Sequence, residues 1–259
     1  MKVLTHVKRY GLSSTAELVI QPIVRKVFRK HLTPTLGEIS STMNASFNDV
    51  NGLISELLDL DDEKIKELGK EYSQILEIIK SKKDKTHFSY PENFSVGKYS
   101  GFLIYSMVRT RKPEIFLETG VANGMTSTLI LSGMHLNGNG TLISFDVSDD
   151  VGQIISPDLN KRWDLRILKK PFRASFLKEL NSLRSVDMFC HDSDHSFKWQ
   201  YFEYNSIKNH LRKGGTMFSD DIDSSYAFID FIKTEKIQSY ALIETRKIFG
   251  IAPIGWKLD

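Results

Sequence analysis

The sequence predicts an α/β protein whose sheet is mostly parallel and is covered by helices on both faces. Two observations carry this reading. From about residue 97 onward, short apolar runs alternate with helical stretches, the pattern of strands joined by crossover helices. Two of those runs also end abruptly in acids: Met188-Phe189-Cys190 leads into His191-Asp192-Ser193-Asp194-His195, and Met217-Phe218 leads into Ser219-Asp220-Asp221. Strands buried on both faces read as continuous apolar runs, and open α/β sheets hold ligands outside the carboxyl ends of their strands. The chain between the two runs is long enough for one crossover helix. That makes the strands parallel and aims Asp192, Asp220 and Asp221 into one crevice. Three carboxylates there repel one another unless a cation or a proton compensates, and a hard ion such as Mg²⁺ is the natural partner.

In chain order, residues 1–88 read as a helical extension and 89–259 as the α/β domain. Ile54, Leu57, Leu58 and then Ile65, Leu68, Tyr72, Ile75, Leu76 and Ile79 recur at three- and four-residue spacing, which marks one helix face. Asp61-Asp62-Glu63 suits a helix N-terminus. Lys80 to Thr86 suits a helix end followed by an exposed linker. A helix over Gly97–Arg109 then leads past Pro113 to the strand Ile115-Phe116-Leu117. A glycine turn, a helix near 125–135 and the Gly138-Asn-Gly140 turn follow. Leu142–Phe145 is the next strand, ending at Asp146, and 165–168 is a short third strand. After the two acid-tipped strands come a helix near 225–234 and the runs Tyr240–Glu244 and Ile248–Ala252, which read as a closing antiparallel pair.

The net charge of +3 gives no global case for a nucleic-acid partner. The first thirty residues are locally basic (Lys2, Lys8, Arg9, Arg25, Lys26, Arg29 and Lys30 against Glu17), and the favoured reading is a solvated helix face. The single cysteine, Cys190, lies inside an apolar run and reads as a buried small hydrophobe. With no signal peptide evident and no stretch of about 18 apolar residues to span a bilayer, the expected location is the cytoplasm.

Glu118-Thr-Gly120-Val-Ala-Asn-Gly124-Met-Thr126 follows the first strand and opens a helix. Glycines permit a tight turn and close approach of a ligand to the backbone, and a helix N-terminus offers unpaired N–H groups. Ala122 stands where a dinucleotide fingerprint would place its second glycine, and no Lys-Ser/Thr follows, so neither that fingerprint nor a phosphate-binding P-loop fits. An acid before the first glycine suits a ligand with cationic character. Asp146, at the next strand end, can accept hydrogen bonds from both ribose hydroxyls.

On these residues the sequence resembles the class I S-adenosylmethionine-dependent methyltransferases with a Rossmann-like fold. It is similar in particular to the metal-dependent O-methyltransferases of the catechol, caffeoyl-CoA and macrocin types. The resemblance runs from about Asn93 to the C-terminus. It implies that Val96, in Asn93–Gly97, touches the cofactor. Glu118, Gly120, Gly124 and Thr126 form the first cofactor motif, and Asp146 holds the ribose. Ser175, in Arg173-Ala174-Ser175, falls beside the adenine, where the family often has Gly-Asp-Ser. Asp192, Asp220 and Asp221 occupy the metal positions. His195 stands at the catalytic-base position, and a helix cap or substrate-orienting group is its other reading. The implied cofactors are S-adenosylmethionine and a divalent cation, with Mg²⁺ first. The implied acceptor is a hydroxyl of a small molecule or a saccharide.

Imidazole ordinarily titrates near neutral pH, which suits His195 to take the acceptor's proton. Asp194 is expected to cap the following helix, and His191 to point away from the crevice. Residues 1–88 match nothing in the family and are expected to form a lid or to mediate homo-oligomerisation. Two rival readings are a non-haem iron hydroxylase-like protein using His191, Asp192 and His195, and a non-catalytic binding protein of the same shape.

Overall fold

A computed structural model describes residues 32–83, 86–91 and 95–254. The basic stretch within residues 1–31 lies outside the described residues. In chain order the elements are α1 (Leu36–Ser40), β1 (Ala45–Phe47), α2 (Val50–Leu58), α3 (Asp62–Lys83), α4 (Lys98–Arg111), β2 (Ile115–Thr119), α5 (Met125–Asn137), β3 (Thr141–Asp146), α6 (Pro157–Asn160), β4 (Trp163–Ile167), α7 (Phe172–Asn181), β5 (Val186–His191), α8 (Phe197–Ile207), β6 (Leu211–Ser219), α9 (Ala227–Glu235), β7 (Tyr240–Ile243) and β8 (Ile248–Pro253).

The strands form one sheet in the order β1-β7-β8-β6-β5-β2-β3-β4. β8 runs antiparallel to both β6 and β7, and every other pairing is parallel. The apolar runs are continuous because alternate residues enter opposite cores. Phe116, Met188 and Phe218 face one hydrophobic cluster, with α2, α3, α4 and α5. Leu117, Phe189 and Met217 face the other, with α7, α8 and α9.

The main departure from the sequence reading is β1. Residues 45–47 interrupt the expected helical extension and pair in parallel with Tyr240, Ala241 and Leu242 at the sheet edge. The flanking helices form as expected. In α3 the buried positions are Ile65, Leu68, Tyr72, Ile75 and Ile79, at helical spacing, and Asp61 Oδ1 accepts from Lys64 N at its start. Smaller shifts occur at β4, which starts at Trp163 rather than 165, and at α9, which starts at Ala227. Trp163 joins β4 because it pairs with Leu142 and its indole N–H donates to Ser144 Oγ at 2.8 Å.

The chain runs outward from β2 to β3 and β4, then returns to place β5 on the other side of β2. That reversal opens a crevice between the carboxyl ends of β2 and β5, where ligands of doubly wound sheets bind.

Candidate functional site

The crevice is built by the turns leaving β2 and β5. Asp192 N donates to Thr119 O at 2.9 Å, and Gly120 N donates to Phe145 O at 3.0 Å, so the tips of β5, β2 and β3 are tied in a row. Gly120 has φ +80°, and a Cβ there would stand 2.0 Å from Asp192 O; only glycine allows this approach. Gly124, at φ +89°, serves packing, since a Cβ would meet Gly152 Cα at 2.8 Å.

A cavity of about 390 Å³ opens over these tips, within the range of small-ligand sites. Its floor is Thr119, Gly120, Val121 and Ala122. Phe145, Val147, Leu168 and Phe172 form an apolar wall on the β3–β4 side, with Asp146 among them. Asp192, Ser193, Trp199 and Glu203 close the β5 side, and Tyr90 reaches over from the N-terminal segment.

The structure brings Gly120, Asp146 and Asp192 to this cavity. Asp146 also braces the turn: Oδ2 accepts from Val121 N at 2.9 Å, and Oδ1 accepts from Val147 N and Ser148 N. Glu118 is not on the wall. It is fully buried behind the turn, where Oε2 accepts from Ser127 Oγ and Ser144 Oγ, both at 2.7 Å. Burial pushes its carboxyl up to about 7 against those two hydrogen bonds. Val96 and Thr126 are buried away from the wall. Ser175, on α7, accepts from Lys169 N through its Oγ, and Phe172 takes the position facing the cavity.

Beside the cavity the predicted acids cluster. Asp220 is buried and Asp221 sits at φ +48° in the turn after β6. His195 Nε2 lies 3.9 Å from both Asp192 Oδ1 and Asp221 Oδ2, between the two strand ends. Burial, reinforced by His191 and opposed by Asp221, pushes the His195 imidazole down to about 4. It is therefore the neutral ring that faces the acids. Burial and the neighbouring Asp220 raise Asp192 well above the ordinary carboxylate range, while Lys247 opposes the shift. Burial likewise raises Asp220 to about 6, again against Lys247.

Lys247 was not among the residues the sequence singled out. Its Nζ donates to Asp220 Oδ2 at 2.6 Å and to Ser95 O at 3.1 Å. Lysine-acid pairs leave no sequence spacing when, as here, 27 residues separate the partners. The donor chemistry of the three carboxylates fits a hard cation, and the buried Asp220 Oδ1 has no hydrogen-bond partner. As arranged, however, no group of three ligating His, Cys, Asp or Glu side chains is assembled among the described residues.

Glu203 on α8 was missed as well. Its carboxylate accepts from Thr119 Oγ1 at 2.7 Å, His191 Nδ1 at 2.6 Å, Ser193 Oγ at 2.9 Å and Trp199 Nε1 at 2.5 Å. One buried side chain thus joins β2, β5, the loop carrying Asp192, and α8. His191 belongs to this network. Its ring packs edge-on against His195 with centroids 5.4 Å apart. Asp194 does not cap α8 as expected: its Oδ1 accepts from Ser196 N at 2.8 Å in a turn just before the helix, and Ser196 itself is the N-cap.

Residues 117–222 match a protein family described as "Methyltransferase domain". That stretch is similar to a methyltransferase domain and makes up less than half of the chain. Among solved structures, this stretch and its surroundings resemble an O-methyltransferase from Bacillus cereus in complex with SAH. The identity is 15%, the TM-score is 0.50, and 79% of this chain and 96% of that one are covered. They also resemble an SAH-bound methyltransferase from Podospora anserina, at 12% identity and TM-score 0.52, covering 75% and 97%. At these identities the likeness is one of fold. No curated protein sequence matches the chain. The cavity lies at the β2/β5 reversal, within the matched stretch except for Tyr90. No helix among the described residues is long and apolar enough to cross a membrane.

Proposed function

We propose that the protein is an S-adenosylmethionine-dependent O-methyltransferase acting on a hydroxyl of a small molecule or saccharide, with a divalent cation, Mg²⁺ first, held by Asp192, Asp220 and Asp221. The observation that carries the reading is the adjacency at one sheet reversal of two half-sites. One is a 390 Å³ cavity with a close-approach glycine floor and an apolar wall flanking Asp146. The other is an acid cluster with a neutral imidazole.

S-adenosylmethionine supplies a methyl group on its sulfonium, and a bound divalent cation supplies Lewis-acid polarisation of an acceptor oxygen. The chain's own residues do the rest. Gly120 lets the donor approach the β2 backbone, and the donor's adenosine half has counterparts in the apolar wall for the base and Asp146 for the ribose hydroxyls. Val121 N, Val147 N and Ser148 N already orient the Asp146 carboxylate, so it is positioned before a ligand arrives. His195 is neutral above about pH 4, so its free nitrogen can accept the acceptor's proton as the carbon–sulfur bond breaks and the carbon–oxygen bond forms. S-adenosylhomocysteine and the methyl ether are the products. Cys190, buried and single, supports a reducing compartment, and a cytoplasmic location belongs to the same proposal.

The test is incubation with methyl-labelled S-adenosylmethionine and a library of phenols, catechols and glycosides, with and without Mg²⁺. Label on an acceptor oxygen with equimolar S-adenosylhomocysteine is the expected result. Label on nitrogen or carbon would replace the O-methyl reading, and no donor consumption with any acceptor would favour a binding protein.

A further inference from the structure

The acids at the ends of β5 and β6 already have a cation from the chain itself. Lys247 Nζ stands 2.6 Å from Asp220 Oδ2, its side chain is only 16% exposed, and it also donates to Ser95 O at 3.1 Å. Nothing in that position is left to chance. Lys247 sits in the tight connection from β7 to β8, closed by Glu244 N donating to Lys247 O at 3.0 Å. The same connection is pinned on its other side, where Glu244 Oε1 accepts from Ser100 N at 2.5 Å at the start of α4. The Glu244 carboxylate sits so close to Gly97 that a Cβ there would fall 1.6 Å from Oε2. The hairpin is thus anchored to a helix N-terminus, where a carboxylate is favoured. It presents its lysine to the acid cluster as a fixed charge.

We infer that Lys247 is the built-in counter-charge of the Asp192–Asp220–Asp221 cluster, and that it competes with a divalent cation for that cluster and so weakens metal binding. The inference rests on the proposed reading of these acids as a cation site. Its reasoning is Coulombic. A fixed ammonium on one ligand oxygen repels an incoming divalent ion and occupies one of its oxygens. Removing the ammonium leaves three neighbouring carboxylates whose mutual repulsion a metal would relieve. Asp220 Oδ1, buried and without a hydrogen-bond partner, is the oxygen of that carboxylate left for such an ion.

Mn²⁺ binding, measured by calorimetry and by its paramagnetic resonance signal on the full chain, tests this. Lys247→Met is expected to bind Mn²⁺ at least tenfold more tightly than the parent, including the case in which only the variant binds. Equal or weaker binding in the variant, or none in either protein, overturns the inference, because the lysine would then be a support for the site rather than a competitor. S-adenosylhomocysteine is titrated into the same samples. If both proteins bind it while Mn²⁺ affinity does not rise, the lysine inference fails alone. If the parent binds none, the methyltransferase reading fails whatever Mn²⁺ does. Should Lys247→Met not fold, reductive methylation of the parent followed by mass spectrometry gives the second reading. Lys247 is expected to be protected in chelator and modified in millimolar Mn²⁺, and unchanged protection overturns the competition.

Discussion

At the scale of single residues, two buried carboxylates carry most of the site's order, Glu118 from behind the glycine turn and Glu203 from the β5 side of the cavity. Glu203 collects four donors from three elements and a loop. Replacing it by alanine leaves the Thr119, His191 and Trp199 donors without their acceptor, and each orphaned buried group costs about 1–3 kcal/mol. Glu203→Ala is therefore expected to lose roughly 3 kcal/mol or more in urea unfolding. Glu203→Gln, which keeps an acceptor oxygen, is expected to lose less than half of that. Equal losses would mean that bulk rather than the acceptor matters. Glu118 makes a pH prediction. Its folded pKa of about 7 lies above the ordinary 4.5. Between those values the folded protein holds a proton that the unfolded chain releases, so stability falls as pH rises through this window. At about 1.4 kcal/mol per unit the loss is roughly 3 kcal/mol. Glu118→Gln is expected to remove that slope, so parent and variant unfolding curves should converge or cross between pH 5 and pH 8. Parallel pH profiles would show that Glu118 titrates normally.

At the scale of elements, the described part of the N-terminal extension shares a core with the sheet. Leu53 and Ile54 of α2 and Ile65, Leu68, Tyr72 and Ile75 of α3 are buried in one cluster with Phe116, Met188 and Phe218. Burying each such side chain is worth about 1.5–3 kcal/mol, so together they rival the 5–15 kcal/mol that holds an ordinary domain. A fragment of residues 89–259 is accordingly expected to show no cooperative thermal transition by circular dichroism. A sharp melt near that of the full chain would establish the α/β domain as separable. The helices of this extension were legible because a repeated three- and four-residue apolar spacing is a local signal. β1 was not. Its three residues, Ala45–Phe47, are too few for their alternation to be read as a strand, and among the described residues its partner strand begins at Tyr240. Pairing across so long a stretch of chain leaves no trace in either segment alone. The acid-tipped strands were legible for the opposite reason, since burial on both faces writes itself as an unbroken apolar run. The same distance argument hid Lys247 and Glu203. Each acts on residues brought near by topology, and in sequence each looks like an ordinary charged surface residue.

At the scale of the whole molecule, the cavity lies on the seam between the two halves of the sheet, with β2, β3 and β4 on one side and β5, β6, β7 and β8 on the other. Direct hydrogen bonds between the strand tips (Asp192 N to Thr119 O, Gly120 N to Phe145 O) cross or flank that seam, and a ligand lying over them would add contacts to both halves at once. Such a ligand binds the folded chain and has no site on the unfolded one, so it raises global stability by mass action, by about 2.7 kcal/mol at a hundredfold excess over its dissociation constant. For a chain of this size that corresponds to a rise in midpoint of roughly 5–10 °C. S-adenosylhomocysteine at saturation is expected to give this shift. Adenosine is expected to give a smaller one, since it reaches only the Phe145, Asp146 and Phe172 side. A shift from adenosine as large as that from S-adenosylhomocysteine would show that the amino-acid end of the ligand gains nothing from the β2–β5 floor. In that case the close approach at Gly120 serves packing between strand tips rather than ligand binding.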